Sequence, residues 1–245
     1  MASVMLDHVP GAPVASPQAS VAFDLSTEPL RRLNHFLHHE LTEELVHVRI
    51  KNPDGAHSIA VGVNAPIDID IEGHAGYYAA GMNQQARITV HGNAGPAVAE
   101  NMMSGRVHVK GFASVAAGAS GQGGLLVIDG DASLRCGISM KGIDIVVAGS
   151  VGDFSAFMAQ AGTLVVCGDA GDALGDSIYE AVIYVRGRVK SLGADAHEEP
   201  MTDAHRAALK KLLAAAGFAH DPNEFRRVAS MRSLYHWNAD ANQEY

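Results

Sequence analysis

Three histidines, His35, His38 and His39, stand at positions i, i+3 and i+4. On a helix that spacing places them on one face, where imidazoles can hold a metal ion. The plainer expectation is a solvated helix face. Asp68, Asp70 and Glu72 alternate in DIDIE and so share one face of a strand. Three carboxylates there could bind a hard cation; the expectation is instead that they are charges on an end strand that discourage edge pairing. The run Gly118–Gly124, GASGQGG, resembles a phosphate loop but lacks the lysine of a P-loop and the G-x-G-x-x-G spacing. Cys136 follows Arg135, whose charge would lower a thiol pKa; an inert thiol is the competing expectation. With Cys167 it makes two cysteines, too few alone for a disulfide framework or a zinc site. Asp153, Asp169, Asp172 and Asp176 fall near expected corners, where aspartate commonly satisfies turn backbone. The 13 histidines are scattered, and no Ser-His-Asp arrangement can be argued from them. No catalytic, cofactor-binding or metal-ligating residue is therefore assigned to the chain.

The elements that carry these residues follow one period. Gly73, Gly92, Gly111, Gly130, Gly149, Gly168 and Gly187 stand 19 residues apart with no insertion. Two residues before each glycine sit Ile71, Val90, Val109, Ile128, Val147, Val166 and Val185; four before sit Ile69, Ile88, Val107, Leu126, Ile145, Leu164 and Ile183. Aliphatic residues at period two mark a short strand with one face buried. Small residues recur two after the glycine (Ala75, Ala94, Ala113, Ala132, Val151, Ala170, Val189) and seven after it (Ala80, Ala99, Gly118, Gly137, Ala156, Gly175, Ala194). The position just before the glycine changes freely, through Glu72, His91, Lys110, Asp129, Ala148, Cys167 and Arg186. An inner column touches its own copies above and below and stays uniform; an outer column meets water or a partner and varies. A fixed period with strands in register is a β-solenoid, each coil lying on the last at about 4.8 Å per rung. The period is too short for a leucine-rich repeat and is not a multiple of six, so right-handed winding is expected. The glycine after each strand is expected at φ > 0 to make a sharp corner.

The 245 residues carry 18 Lys and Arg against 27 Asp and Glu, a formal charge of −9. That balance excludes the basic footprint of a nucleic-acid binder. Apolar residues make up 47% of the chain, which excludes wholesale disorder, and no apolar run is long enough to span a membrane. Residues 1–20 lack the basic start of a signal peptide and are expected as a flexible arm of a cytoplasmic protein. Residues 21–66 are expected as an N-terminal helix and cap, beginning Ser26-Thr27-Glu28-Pro29 with Leu30, Leu33, Leu37 and Leu41 at helical spacing. Residues 67–195 form the solenoid. Residues 196–245 hold a helix capped by Thr202 or Asp203 and stopped by Gly217, then the aromatic tail Arg232–Tyr245 with the one tryptophan, Trp237. Both helices are expected as caps or docking helices, because an open solenoid has two adhesive ends.

Several segments carry a family resemblance. GYYAAGMN (76–83), GNAGPAVAENMMSG (92–105), GGLLVIDG (123–130), CGISMKGIDIVV (136–147), GDAGDALGDSIYEA (168–181), KSLGAD (190–195) and the tail RSLYHWNADANQEY resemble the glutamate synthase C-terminal, or GXGXG, domain family. The likeness covers residues 21–245 and is nearest to the stand-alone GXGXG subunit of N-methylglutamate synthase (methylamine–glutamate N-methyltransferase) and similar complexes. It implies a right-handed parallel β-helix with flanking α-helices and a non-catalytic, structural role. It also implies two partners: a class II glutamine-amidotransferase-like subunit, and a synthase subunit holding FMN and an iron–sulfur cluster. Ala2 stands where an amidotransferase nucleophile would follow the initiator Met, and C-x-x-C is absent, so the chain is expected to be neither partner. An alternative keeps the fold and changes the complex: the chain would be the scaffold of a formylmethanofuran dehydrogenase or of a formyltransferase/hydrolase-like complex. A free-standing β-helix lyase would need clustered Asp, Arg or Lys on one outer sheet, and an acyltransferase a six-residue period; neither is present. A plain interaction module, with no enzyme attached, is the remaining reading.

Overall fold

The computed structural model describes residues 19–231. The N-terminal arm up to Gln18 and the aromatic tail from Arg232 lie outside the described residues. Within them, β1 (Ala19–Asp24), α1 (Leu30–His39) and β2 (Leu45–Lys51) come first. Then follow β3 (Asp68–Glu72), β4 (Arg87–Val90), β5 (Arg106–Val109), β6 (Leu125–Ile128), β7 (Lys141–Val147), β8 (Ala161–Val166) and β9 (Val182–Val185). β10 (Ala196–Glu199), α2 (Asp203–Ala216) and β11 (Arg226–Ser230) complete the described residues. All eleven strands form one sheet in the order β1 to β9, then β11 and β10.

The 19-residue period is the register of this sheet. Ile69 pairs with Ile88, Ile88 with Val107, Val107 with Leu126, Leu126 with Ile145, Ile145 with Leu164 and Leu164 with Ile183, all in parallel. A second ladder runs along the next side, from Ala75 through Ala94, Ala113, Ala132, Val151 and Ala170 to Val189. Both aliphatic columns point inward and are buried, none more than 1% exposed. The fold is thus a parallel β-solenoid of about seven coils with two flanking helices. The ladder also extends past the repeat: β2 pairs in parallel with β3, setting Val48 beside Ile69, and β1 pairs with β2.

The strand-end glycines make their contribution differently from the expectation. Of the seven, Gly73 alone has positive φ, at 150°. The other six are glycine because successive coils approach backbone to backbone. A Cβ on Gly92 would lie 2.8 Å from Gly73 O, and on Gly130 2.9 Å from Gly111 O, inside any real contact. Left-handed residues stand instead five, seven and nine positions on; those seven on are the small column Ala80, Ala99, Gly118, Gly137, Ala156 and Gly175, at φ between 55° and 69°. Each amide of this small column donates to the coil before, as Ala99 N does to Ala79 O and Gly137 N to Ala117 O. Those bonds offset the cost of the left-handed turn.

The ends are closed in two ways. α1 buries Leu33 and Leu37, and Asn34 bonds Ser58 O and Ala60 N, satisfying edge backbone of the first coil. Pro29, not Ser26 or Thr27, is its N-cap, and no side chain caps it; Ser26 and Thr27 bond back to Asp24 instead. At the far end β11 turns antiparallel onto β9, and β10 onto β11. α2 begins with a capping box between Thr202 and His205 and ends at Gly217 with φ 93°. It does not cap the bore. Leu209, Leu213 and Ala216 pack on the outer sheet face against Val127, Val146, Val165, Cys167 and Tyr184.

Candidate functional site

The outer sheet face changes character along its length. Three positions before each glycine the column reads Asp70, Thr89, His108, then Val127, Val146, Val165 and Tyr184. The apolar half lies under α2; the polar half faces outward. In the polar half, Asp70 sits between two imidazoles: His47 Nε2 donates to Oδ2 and His91 Nε2 to Oδ1, each at 2.7 Å. Arg87 donates two bonds to Asp68 (2.6 and 2.7 Å), His108 donates to Asp129 at 2.7 Å with Lys110 3.5 Å away, and Arg49 lies 3.9 Å from Glu72. Burial works against the Asp70 charge, but the His91 and His47 hydrogen bonds outweigh it and hold the carboxyl below the usual carboxylate range.

These acids therefore do not guard an edge. β3 lies inside the sheet, between β2 and β4, because the ladder continues past the repeat. Each of the three carboxylates instead pairs with a base on a neighbouring strand. A groove of about 470 Å³ runs between them, lined by His47, Asp68, Asp70, Arg87, Thr89 and Arg106. Both Asp70 oxygens are occupied within the chain, and among the described residues no three His, Cys, Asp or Glu side chains converge as a metal site.

The remaining candidates separate in space or prove structural. His38 Nε2 donates to Val61 O at 2.7 Å, whereas His35 donates to Glu40; the His39 ring lies tilted against His35 at 4.7 Å between centroids and edge-on to His38 at 6.0 Å. The glycine run is a packing device: a Cβ on Gly118 would meet Ile145 Cδ1 at 2.6 Å, and on Gly121 would meet Ile143 at 2.8 Å. Its amides donate within the protein, Gly118 N to Val98 O and Gln122 N to Met102 O, so neither is offered to a phosphate. Cys136 is fully buried, and burial pushes its thiol up to about 12; Arg135 does not lower it. Burial takes Cys167 up to about 11, against the pull of Arg186. The corner aspartates accept from the next coil, and Asp176 accepts from Ser177 Oγ in its own turn as well as from Ala194 N. Asp153 Oδ1 accepts from Asp172 N at 2.7 Å and Asp169 Oδ1 from Arg188 N at 2.8 Å, while Asp172 pairs with Lys190 and Ser191. Asn93 and Asp131 do the same, accepting from Phe112 N and Ser150 N.

Two surfaces were not foreseen from the sequence. One is a groove of about 580 Å³ beside α2, where Leu125, Thr163, Val182, Tyr184, Leu209 and Leu212 surround Asp144. Burial raises the Asp144 carboxyl, against hydrogen bonds from Thr163. Its signal was present in the outer column, which turns from polar to apolar at Val127. The other is a corner where Tyr77, Pro96, Val115 and Leu134 stack on successive coils. Tyr78 N, Ala97 N and Ala116 N donate to Pro96 O, Val115 O and Leu134 O. Tyr77 and Leu134 are nearly half exposed there, with Phe154 on the coil beyond.

No helix among the described residues is long and apolar enough to cross a membrane. No protein-family model matches the chain. It is 54% identical over 224 residues to Protein GlxC of Rhizobium meliloti (strain 1021), across 91% of this chain and 98% of that protein.

Proposed function

The chain belongs to the family of Protein GlxC, and from that premise we propose that it is the non-catalytic structural subunit of a glutamate-synthase-like complex. The observation that carries this reading is the saturation of the solenoid. Its inner columns are filled with aliphatic side chains, and its grouped acids and histidines are bound to one another or to backbone. A stiff prism with an exposed apolar corner at Tyr77, Pro96, Val115 and Leu134 is suited to holding other subunits at a set separation. Its partners are a class II glutamine-amidotransferase-like subunit and a synthase subunit with FMN and an iron–sulfur cluster. The complex is N-methylglutamate synthase: methylamine and glutamate give N-methylglutamate and ammonia. The solenoid fixes the distance between the two active subunits, so that the intermediate passed between them meets its second site at high effective concentration.

The test is purification of the tagged chain from its own cells. Two further subunits should come with it, one of them yellow, and the assembly should consume methylamine only with glutamate. The isolated chain should be folded, colourless and inactive. Flavin bound to the isolated chain, or turnover by it, would overturn the reading.

A further inference from the structure

Among the described residues nothing fills the apolar groove beside α2, and the described part of the chain ends next to it. β11 runs antiparallel to β9 with Val228 opposite Ile183, so Ser230 and Met231 come level with the start of β9. Val182, the first residue of β9, lines the groove. Met231 is 64% exposed. The groove spans the starts of β6 to β9, about 15 Å at the rung spacing of a sheet. Residues 232–245 could reach about 45 Å if extended, so length sets no limit. They supply the side chains the groove lacks: Leu234, Tyr235 and Trp237 for walls of Leu125, Val182, Leu209 and Leu212. They also carry Arg232 and His236, cations for the Asp144 carboxylate, and Asp240 and Glu244, anions for Lys211 at the rim.

We propose that this groove seats the aromatic side chains of the chain's own terminal segment 232–245, Trp237 among them. The segment then fastens α2 to the outer sheet face, and α2 in turn covers Val127, Val146 and Val165. The site is intramolecular and stands whether or not the complex proposed above exists.

The chain's single tryptophan makes the test direct, because all indole emission comes from Trp237. In the purified full-length protein the emission should be blue-shifted and resist quenching by acrylamide, unchanged on dilution over a hundredfold range. Ala208→Glu, at an exposed position on the groove wall, should move the emission to the solvated wavelength and raise quenching several-fold, with far-UV circular dichroism retained. Ala215→Glu, also exposed, serves as the second probe should the first disturb folding. Solvated emission in the unmodified protein would overturn the proposal. So would protection that vanishes on dilution, which assigns the groove to a second copy, or protection that appears only when another subunit is added. Protection untouched by a folded groove variant would overturn it as well.

Discussion

Val109 and Thr89 stand on neighbouring coils, one facing in and the other out. Val109 is fully buried between Val90 and Ile128. Val109→Asp leaves an unpaired charge in the bore and should cost several kcal/mol in a denaturant titration. Thr89→Asp should cost less than about 1 kcal/mol. Equal losses would show that the two columns do not differ in burial. The thiols make a second residue-scale case. With Cys136 near 12 and Cys167 near 11, almost no thiolate exists at pH 8. A thiol-labelling reagent should find no reactive group in the native protein and two after denaturation. Asp70 supplies a pH dependence. Its folded pKa is depressed, so below the unfolded value of about 3.9 the unfolded chain binds more protons. The stability it contributes is complete above that value and is lost as pH falls through the folded pKa. Since Asp70 is about a third exposed, Asp70→Asn should cost no more than about 1 kcal/mol at pH 7. Its stability should also fall less steeply than the parent's below pH 4, as acid titrations at fixed urea would show.

At the scale of elements, contacts between coils dominate. Gly130→Ala places a methyl against the Gly111 carbonyl and the Phe112 amide, all backbone and unable to step aside. A cost of about 3 kcal/mol is expected. Gly217→Ala keeps a strained φ of 93° but meets nothing within 4 Å, so it should cost only about 1 kcal/mol. Thermal melts of the pair separate the two roles of glycine, close approach and left-handed backbone, which the repeat pattern does not distinguish. The helices show a similar division. The 3.6-residue pattern and the Thr202 and Gly217 signals of α2 were legible, but not where the helix lies. Arg106, from β5, donates to Ala215 O at 2.6 Å and so ties the C-terminus of α2 to the middle of the sheet. No local pattern links two residues so far apart in sequence.

For the whole molecule, the ladder predicts tolerance to whole-coil changes. Deleting residues 74–92 joins Gly73 to Asn93 and brings Ile69 into register with Val107 in place of Ile88, one rung shorter. The product should fold and melt cooperatively, with its length reduced by about 5 Å in solution scattering. Deleting 74–83 alone breaks the period and should leave an unfolded or aggregated protein. Intact melting of both deletions would show that the period does not set the fold.

The amino-acid sequence by itself determined the solenoid, its 19-residue register and its inner columns, because a stacked coil meets only its own copies and each column must suit itself. The tertiary structure alone decided that the sheet runs on past the repeat through β2 and β1, so that the acids of β3 sit between bases and not at an edge. It alone decided that the strand-end glycines answer to a carbonyl on the coil before, and that α2 lies along the outer face with Cys167 beneath it. Each of these depends on surfaces meeting from distant parts of the chain, and a repeat read along one dimension carries no record of which two surfaces will meet.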